Sequence, residues 1–382
     1  MSEVHGACSD QFAEVRSLLA GNLDAGADVG ASVAVFIDGE AVVDIWGGHV
    51  DEARSRPWQR DTIVNMFSST KTMTALCALV LADRGVIDLH APVARYWPEF
   101  AAEGKERVEV RQLLGHTCGL PGWDGPMTIA DVLDREKATT LLARQAPWWE
   151  PGTAAGYEAI TYGPLLGEVV RRTTGMTLTR FFAGEIAGPL GADCHIGAPA
   201  EADARVSPMI AGTPPRPRDP AGSIPERVFF NPYVTPADAS TTAWRRGELG
   251  GSNGHGNARS LARVQQVLAC GGTVGGVRLL SEAGCARALE QVADGTDLVL
   301  GLPVRWGMGY GIGSPLVADL YGPRVEGRRL AFWGGSGGSW VLVDLDARMT
   351  IAYVMNRHVE GAFDRRSVDF VNAAYDSLAL AA

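Results

Sequence analysis

The chain has 382 residues, a formal net charge of −10 and a hydrophobic share of 46%. That length can bury a large core and is long for one domain, while the acidic balance, with no Lys/Arg run, lacks the electrostatic footprint of a nucleic-acid binder. No stretch reaches transmembrane length, and the polar start Met1-Ser2-Glu3-Val4-His5 has neither the basic head nor the apolar run of a secretory leader, so a cytoplasmic protein with no nucleic-acid or membrane partner is expected. The six cysteines, at 8, 77, 118, 194, 270 and 285, lie far apart without a paired spacing, which implies neither disulfides nor zinc.

In chain order, residues 10–23 have helical spacing, and 32–37 and 41–46 form two β-rich runs joined by Asp38-Gly39-Glu40, the pattern of a hairpin. Residues 69–82, 129–145, 162–174 and 260–270 read as helices with few strand signals among them. Between 206 and 256 lies a Pro- and Gly-rich stretch that includes Thr213-Pro214-Pro215-Arg216-Pro217, and a long irregular segment in a compact protein tends to be a functional cover. Three further strands follow at 329–333, 340–344 and 349–355, and 362–380 has helical spacing of Phe363, Val368, Val371 and Tyr375. The expected fold class is therefore α+β. An antiparallel sheet is built from N- and C-terminal strands flanked by helices (1–80 and 257–382), with a mostly helical domain inserted at 81–256.

Only three lysines stand against 31 arginines, and one of them, Lys71, follows Ser68 by three residues in Phe67-Ser68-Ser69-Thr70-Lys71-Thr72-Met73. An arginine keeps its proton under protein conditions, whereas a buried lysine can lose it and act as a base toward a hydroxyl. On a helix the i, i+3 spacing puts both side chains on one face, and a serine at the helix start meets free N–H groups that favour developing negative charge. A serine before a helix is by itself more often an N-cap than a nucleophile, so the pair needs context.

Two more elements supply it. Acyl transfer requires a second proton carrier for the leaving group, and Tyr157 in Gly156-Tyr157-Glu158-Ala159 is of the right type. The strand end Phe332-Trp333-Gly334-Gly335-Ser336-Gly337-Gly338 lets backbone approach a bound acyl group closely, and its N–H groups can complete an oxyanion hole. With these three elements in this order, the chain resembles the serine β-lactamase and penicillin-binding protein superfamily. Within it, the chain is more similar to the class C-like branch known as family VIII carboxylesterases. Leu113-Leu114-Gly115-His116-Thr117-Cys118-Gly119 and Gly254-His255-Gly256-Asn257 also look like that family. The resemblance implies Ser68 as acylated nucleophile, Lys71 as its base and Tyr157 as proton shuttle. It further implies that the Ser68 and Ser336 N–H groups hold the oxyanion, and that Trp333-Gly334-Gly335 stands where penicillin-recognising members carry Lys-Thr-Gly.

Two departures from the family point to substrate. Ala159 stands where β-lactam-handling relatives have an asparagine, and Trp333 replaces a cation that would meet a carboxylate; both turn the site toward a neutral ester. Trp333, Gly334 and Gly335, with Tyr310 and Trp123, are the expected substrate contacts, no cofactor is implied, and the seven histidines without an HExxH helix leave His116 and His255 to loop or packing roles. Gly-Xaa-Ser-Xaa-Gly occurs around Ser336 and Ser252, but that motif needs a strand-turn-helix with acid and histidine downstream. After Ser336 comes another strand, with His358 the one remaining histidine. The expectation is a serine carboxylesterase for short to medium acyl esters, its oligomeric state open. An acyltransferase, an amidase or D-amino-acid peptidase, or a weak β-lactamase shares the acyl-enzyme step, and a slowly deacylating sensor is the non-enzyme alternative.

Overall fold

Alternating β-branched and small residues at both ends of the chain build one nine-stranded sheet. The computed structural model describes residues 2–212, 218–359, 361 and 364–379. Strands β1 (Val4–Cys8), β2 (Gly30–Ile37) and β3 (Glu40–Gly48) come from the N-terminal end. The sheet order is β1, β3, β2, then Met349–Met355, Trp340–Asp344, Leu330–Gly334, Gly311–Ile312, Pro303–Trp306 and Ala293–Thr296. Every neighbouring pair is antiparallel. The central strands are buried along almost their whole length, which requires cover on both faces. Helix Ala258–Ala269 packs on β2, Met349–Met355 and Trp340–Asp344, while helix α1 (Ala13–Asp24) and Arg365–Ala379 pack on each other and on the sheet.

The α+β class, the hairpin at 32–46 and the three C-terminal strands match the sequence expectation. Strand β1 and the strands between 293 and 312 were not foreseen, because runs of two to five residues broken by glycine are too brief to show alternation. The helix expected over 129–145 is two, Ile129–Leu133 and Arg135–Arg144, since Asp134 adopts ψ 95° and its carboxylate caps the Lys137 N–H at 3.1 Å. Phe363, placed on the apolar face of the last helix, and the prolines 214, 215 and 217 lie outside the described residues.

A second sheet of four short strands, overlooked by the sequence reading, orders Cys194–Ile196, Gly254–Gly256, Ile63–Asn65 and Val206–Ser207. It delivers the chain into helix α2 (Thr70–Asp83), whose residues 70–82 are all buried. A helix without a polar face belongs to the interior, and α2 packs against Tyr162–Thr174 and Ala258–Ala269. Among the described residues, no helix is long and apolar enough to cross a membrane.

Candidate active site

The turn before α2 is held from behind by the second sheet. The Met66 N–H donates to the Gly254 carbonyl at 2.7 Å and Phe67 bridges to Asn253. Phe67 has φ +42°, a left-handed conformation that costs a non-glycine residue of order 1–3 kcal/mol and persists where the surroundings impose it. The helix begins at Thr70, two residues after Ser68. Ser68 thus stands on the turn rather than in the first helical position, partly exposed and facing a cavity.

Lys71 is buried, with 1% of its surface exposed. Its Nζ donates to the carbonyls of Ala159 at 2.8 Å and Gly251 at 2.9 Å, and lies 3.4 Å from Ser68 Oγ. Burial pulls its pKa down to about 7, against an opposing pull from Glu158. A neutral amine has two N–H bonds and one lone pair. The two carbonyls take the N–H bonds, and the lone pair is left for the Ser68 hydroxyl, at a distance typical of an unliganded site.

Tyr157 completes the group. Its hydroxyl hydrogen-bonds Ser68 and accepts from Trp333 Nε1 at 3.2 Å; burial holds the phenol protonated by raising its pKa. With the indole N–H occupying an acceptor lone pair, the phenol proton is free to point at Ser68 Oγ. The Tyr157 ring lies with its centroid 4.6 Å from Lys71 Nζ and stacks on Trp306 at 6.0 Å and 8°.

Three residues that support this arrangement escaped the sequence reading. Asp297, fully buried, accepts from the Tyr157 N–H at 3.0 Å, from the N–H groups of Val299 and Leu300 and from Trp306 Nε1, so one carboxylate fixes the tyrosine loop and the indole beneath it. Glu158 is buried with its carboxyl pKa pushed well up by desolvation and receives the Cys118 thiol at 3.0 Å. The third is the Gly251 carbonyl facing Lys71. A backbone acceptor has no signature in sequence, and an aspartate in Asp294-Gly295-Thr296-Asp297 reads as a turn residue. His116 has the packing role expected: its Nδ1 accepts the Glu158 N–H at 3.3 Å, and its ring meets Trp306 edge-on at 4.4 Å. His255 is likewise buried and bonded to the Asn253 carbonyl at 2.8 Å.

Ser68, Tyr157, Trp333, Gly334, Gly335 and Ser336 open onto one cavity of about 270 Å³. Val228, Phe229 and Tyr233 from the irregular 206–256 segment form one apolar wall, and Leu300, Leu302 and Val304 another. Two expected substrate contacts are corrected. Trp123 donates its indole N–H to the Ala138 carbonyl at 3.1 Å, and the Tyr310 hydroxyl sits 3.0 Å from the Thr72 carbonyl and 2.9 Å from Gln265 Oε1. Both are core residues, 2% and 1% exposed, and neither lines the cavity, because an aromatic ring whose polar tip is satisfied internally has no need of the wet surface. Ser252 is buried with its hydroxyl on the Ala159 carbonyl at 3.2 Å.

A family model described as Beta-lactamase matches residues 15–375. The chain belongs to the beta-lactamase family. It is 34% identical to Esterase/beta-lactamase LipL of Mycobacterium tuberculosis, over 93% of this chain and 83% of that one. Against Esterase EstB of Burkholderia gladioli it is 28% identical over 91% of each. Among solved structures it is similar to a family VIII carboxylesterase, with a TM-score of 0.91 at 41% identity, covering 98% of this chain and all of that one. In this member of the family the serine, lysine and tyrosine meet at one end of α2, and the strand end at Trp333 closes over them.

Proposed function

We propose that the protein is a serine carboxylesterase that hydrolyses short to medium acyl esters through an acyl-enzyme on Ser68. The observation that carries the reading is the pairing of Lys71 with two carbonyls and one serine, which leaves a neutral amine its lone pair for the Ser68 proton. The esterase relatives and the apolar walls of the cavity support an ester as substrate. Trp333 and Ala159 at the cavity support a neutral one, since neither offers a charge to a carboxylate.

In this reading Ser68 Oγ attacks the ester carbonyl as its proton passes to Lys71 Nζ. The N–H groups of Ser68 and Ser336 hold the oxyanion, each such donor contributing about 10²–10³ in rate. Tyr157 gives its proton to the leaving alcohol and recovers one from Lys71. Water then enters and attacks the acyl carbon, losing a proton to the same pair, and that proton returns to Ser68 Oγ as the acyl–Oγ bond breaks and the acid leaves. Segments 1–80 and 257–382 carry the sheet side of the site and 81–256 the helical side. A cytoplasmic location belongs to the reading as well, supported by six free thiols.

The test is the initial rate on a p-nitrophenyl series from acetate to octanoate, for wild type and Ser68→Ala, beside a chromogenic cephalosporin. Ester turnover lost in Ser68→Ala, with the cephalosporin nearly untouched, is the expected result. Ester turnover surviving in Ser68→Ala overturns the assignment of the nucleophile.

A further inference from the structure

The rim of the cavity holds a serine–histidine contact that the chemistry above does not use. Ser336 Oγ lies 2.8 Å from His358 Nε2. His358 is 4% exposed and sits on the short strand Arg357–His358, paired in parallel with Ile210–Ala211. Burial pulls the imidazole pKa down to about 4 and keeps the ring neutral. A neutral imidazole and a hydroxyl can share one proton in either sense, so the ring holds the Ser336 side chain whichever nitrogen carries the proton.

The surroundings explain why such an anchor matters. Ser336 is flanked by Gly334, Gly335, Gly337 and Gly338, the freest backbone a sequence can provide, so on the turn 335–339 its side chain and that of Ser339 are the two handles. Gly337 has φ +94°, and a Cβ there would sit 2.7 Å from His358 Cδ2, so glycine is what lets the turn close on the imidazole. The other side of the same ring meets Phe67, at 5.4 Å between centroids and 70°. Phe67 immediately precedes Ser68 and has the left-handed backbone that aims the Ser68 turn. One imidazole therefore touches both chain segments whose N–H groups are read as the oxyanion donors.

We infer that His358 is a positioning residue for the oxyanion site, fastening the Ser336 side chain and bracing Phe67 so that the two N–H groups converge on a single oxygen. The inference rests on the Ser68 acyl-enzyme reading. His358 acts through Ser336 on one side and Phe67 on the other.

The experiment measures kcat and KM on p-nitrophenyl butyrate and the rate at which a fluorophosphonate labels Ser68. It compares wild type, Ser336→Ala, His358→Ala, the double variant and His358→Gln, with Ser68→Ala as control. Ser336→Ala keeps the backbone N–H and removes only the handle. Each single change lowers kcat and the labelling rate roughly tenfold, a misplacement effect below the full loss of a donor, with KM nearly unchanged. The double variant falls no further than the worse single one, as expected for two residues acting through one bond, and His358→Gln recovers most of the rate because its amide can keep a hydrogen bond to the Ser336 hydroxyl as acceptor or donor. Additive losses, or unchanged kcat and labelling with only a lower Tm, overturn the inference. Should His358→Ala fail to fold, Ser336→Ala against His358→Gln decides. Turnover that persists in Ser68→Ala but vanishes in Ser336→Ala rejects the acyl-enzyme reading itself, a result distinct from any of the others.

Discussion

The indole N–H of Trp333 donates to the hydroxyl of Tyr157 across 3.2 Å. Where a relative that receives β-lactam carboxylates would carry a cation, this chain has a neutral donor directed at the residue read as the proton shuttle. The contact fixes which lone pair of the phenol is occupied, and so where its proton points. Trp333→Phe keeps a ring against Tyr157 and removes the donor. A hydrogen bond of about 0.5–1.5 kcal/mol corresponds to a loss of roughly 2- to 10-fold in kcat. Steady-state kinetics on a short acyl ester checks it: an unchanged kcat with a raised KM would mean that Trp333 only binds substrate.

Lys71 gives the reaction its pH dependence. Its pKa of about 7 means that the amine is protonated in acid and cannot take the serine proton. The value of kcat/KM should rise with pH through a midpoint near 7 and fall about tenfold per unit well below it. Lys71→Arg should lower acylation by at least about 10³-fold, since a guanidinium keeps its proton. A pH–rate profile on a neutral ester, flat from pH 5 to 9, would remove Lys71 from the role of base.

The same lysine links activity to stability. Its pKa is lower folded, about 7, than the 10.5 of an unperturbed side chain. Below pH 7 both states bind the proton and the folded protein bears the full cost of a buried ammonium, a few kcal/mol. Between 7 and 10.5 the unfolded chain binds more protons, so stability climbs with pH, and above that window the penalty is gone. Lys71→Met has no such proton, although it removes the ammonium-side donor from the Ala159 and Gly251 carbonyls. Thermal melts at pH 6.5, 8 and 9.5 should show wild type gaining on Lys71→Met as pH rises. Parallel curves would mean that the lysine is not neutralised by folding.

What the sequence made legible was whatever is local and chemical. Ser68 and Lys71 could be paired because three residues on a helix is a fixed geometry, and the hairpins could be drawn because β-branched runs flank short turns. What escaped it was non-local. The Gly251 and Ala159 carbonyls that hold Lys71 are backbone atoms of any residue type, and Asp297 reaches Tyr157 across 140 positions. Trp123 and Tyr310 were misplaced because an aromatic ring carries equal apolar weight in a pocket or a core, and only the partner of its polar tip tells the two apart. His358 could be singled out as the histidine after Ser336, but its contact with Phe67 depends on two chain segments that meet only in the fold.

Gly335 tests how tightly the strand end is fitted to the nucleophile turn. The sequence reading had glycine there so that backbone could approach an acyl group; what it approaches in the fold is the chain just before Ser68. A Cβ on Gly335 would fall inside contact distance of the Met66 carbonyl oxygen and Ser339 Oγ. Both are already committed, since Ser339 Oγ donates to Met66 O at 2.7 Å and lies 3.0 Å from Ser69 Oγ. Overpacking of this kind costs about 1–3 kcal/mol, and here the displaced atoms carry Ser68 and Ser336. Gly335→Ala should therefore lower Tm by several degrees and reduce kcat far more than a remote change of equal stability cost. Gly21, exposed in α1 with open space around its Cβ position, is the contrast: Gly21→Ala should raise stability by about 0.5–1 kcal/mol and leave kcat alone. Equal kcat in the two variants would show that the Gly335 contact shapes the fold without shaping the site.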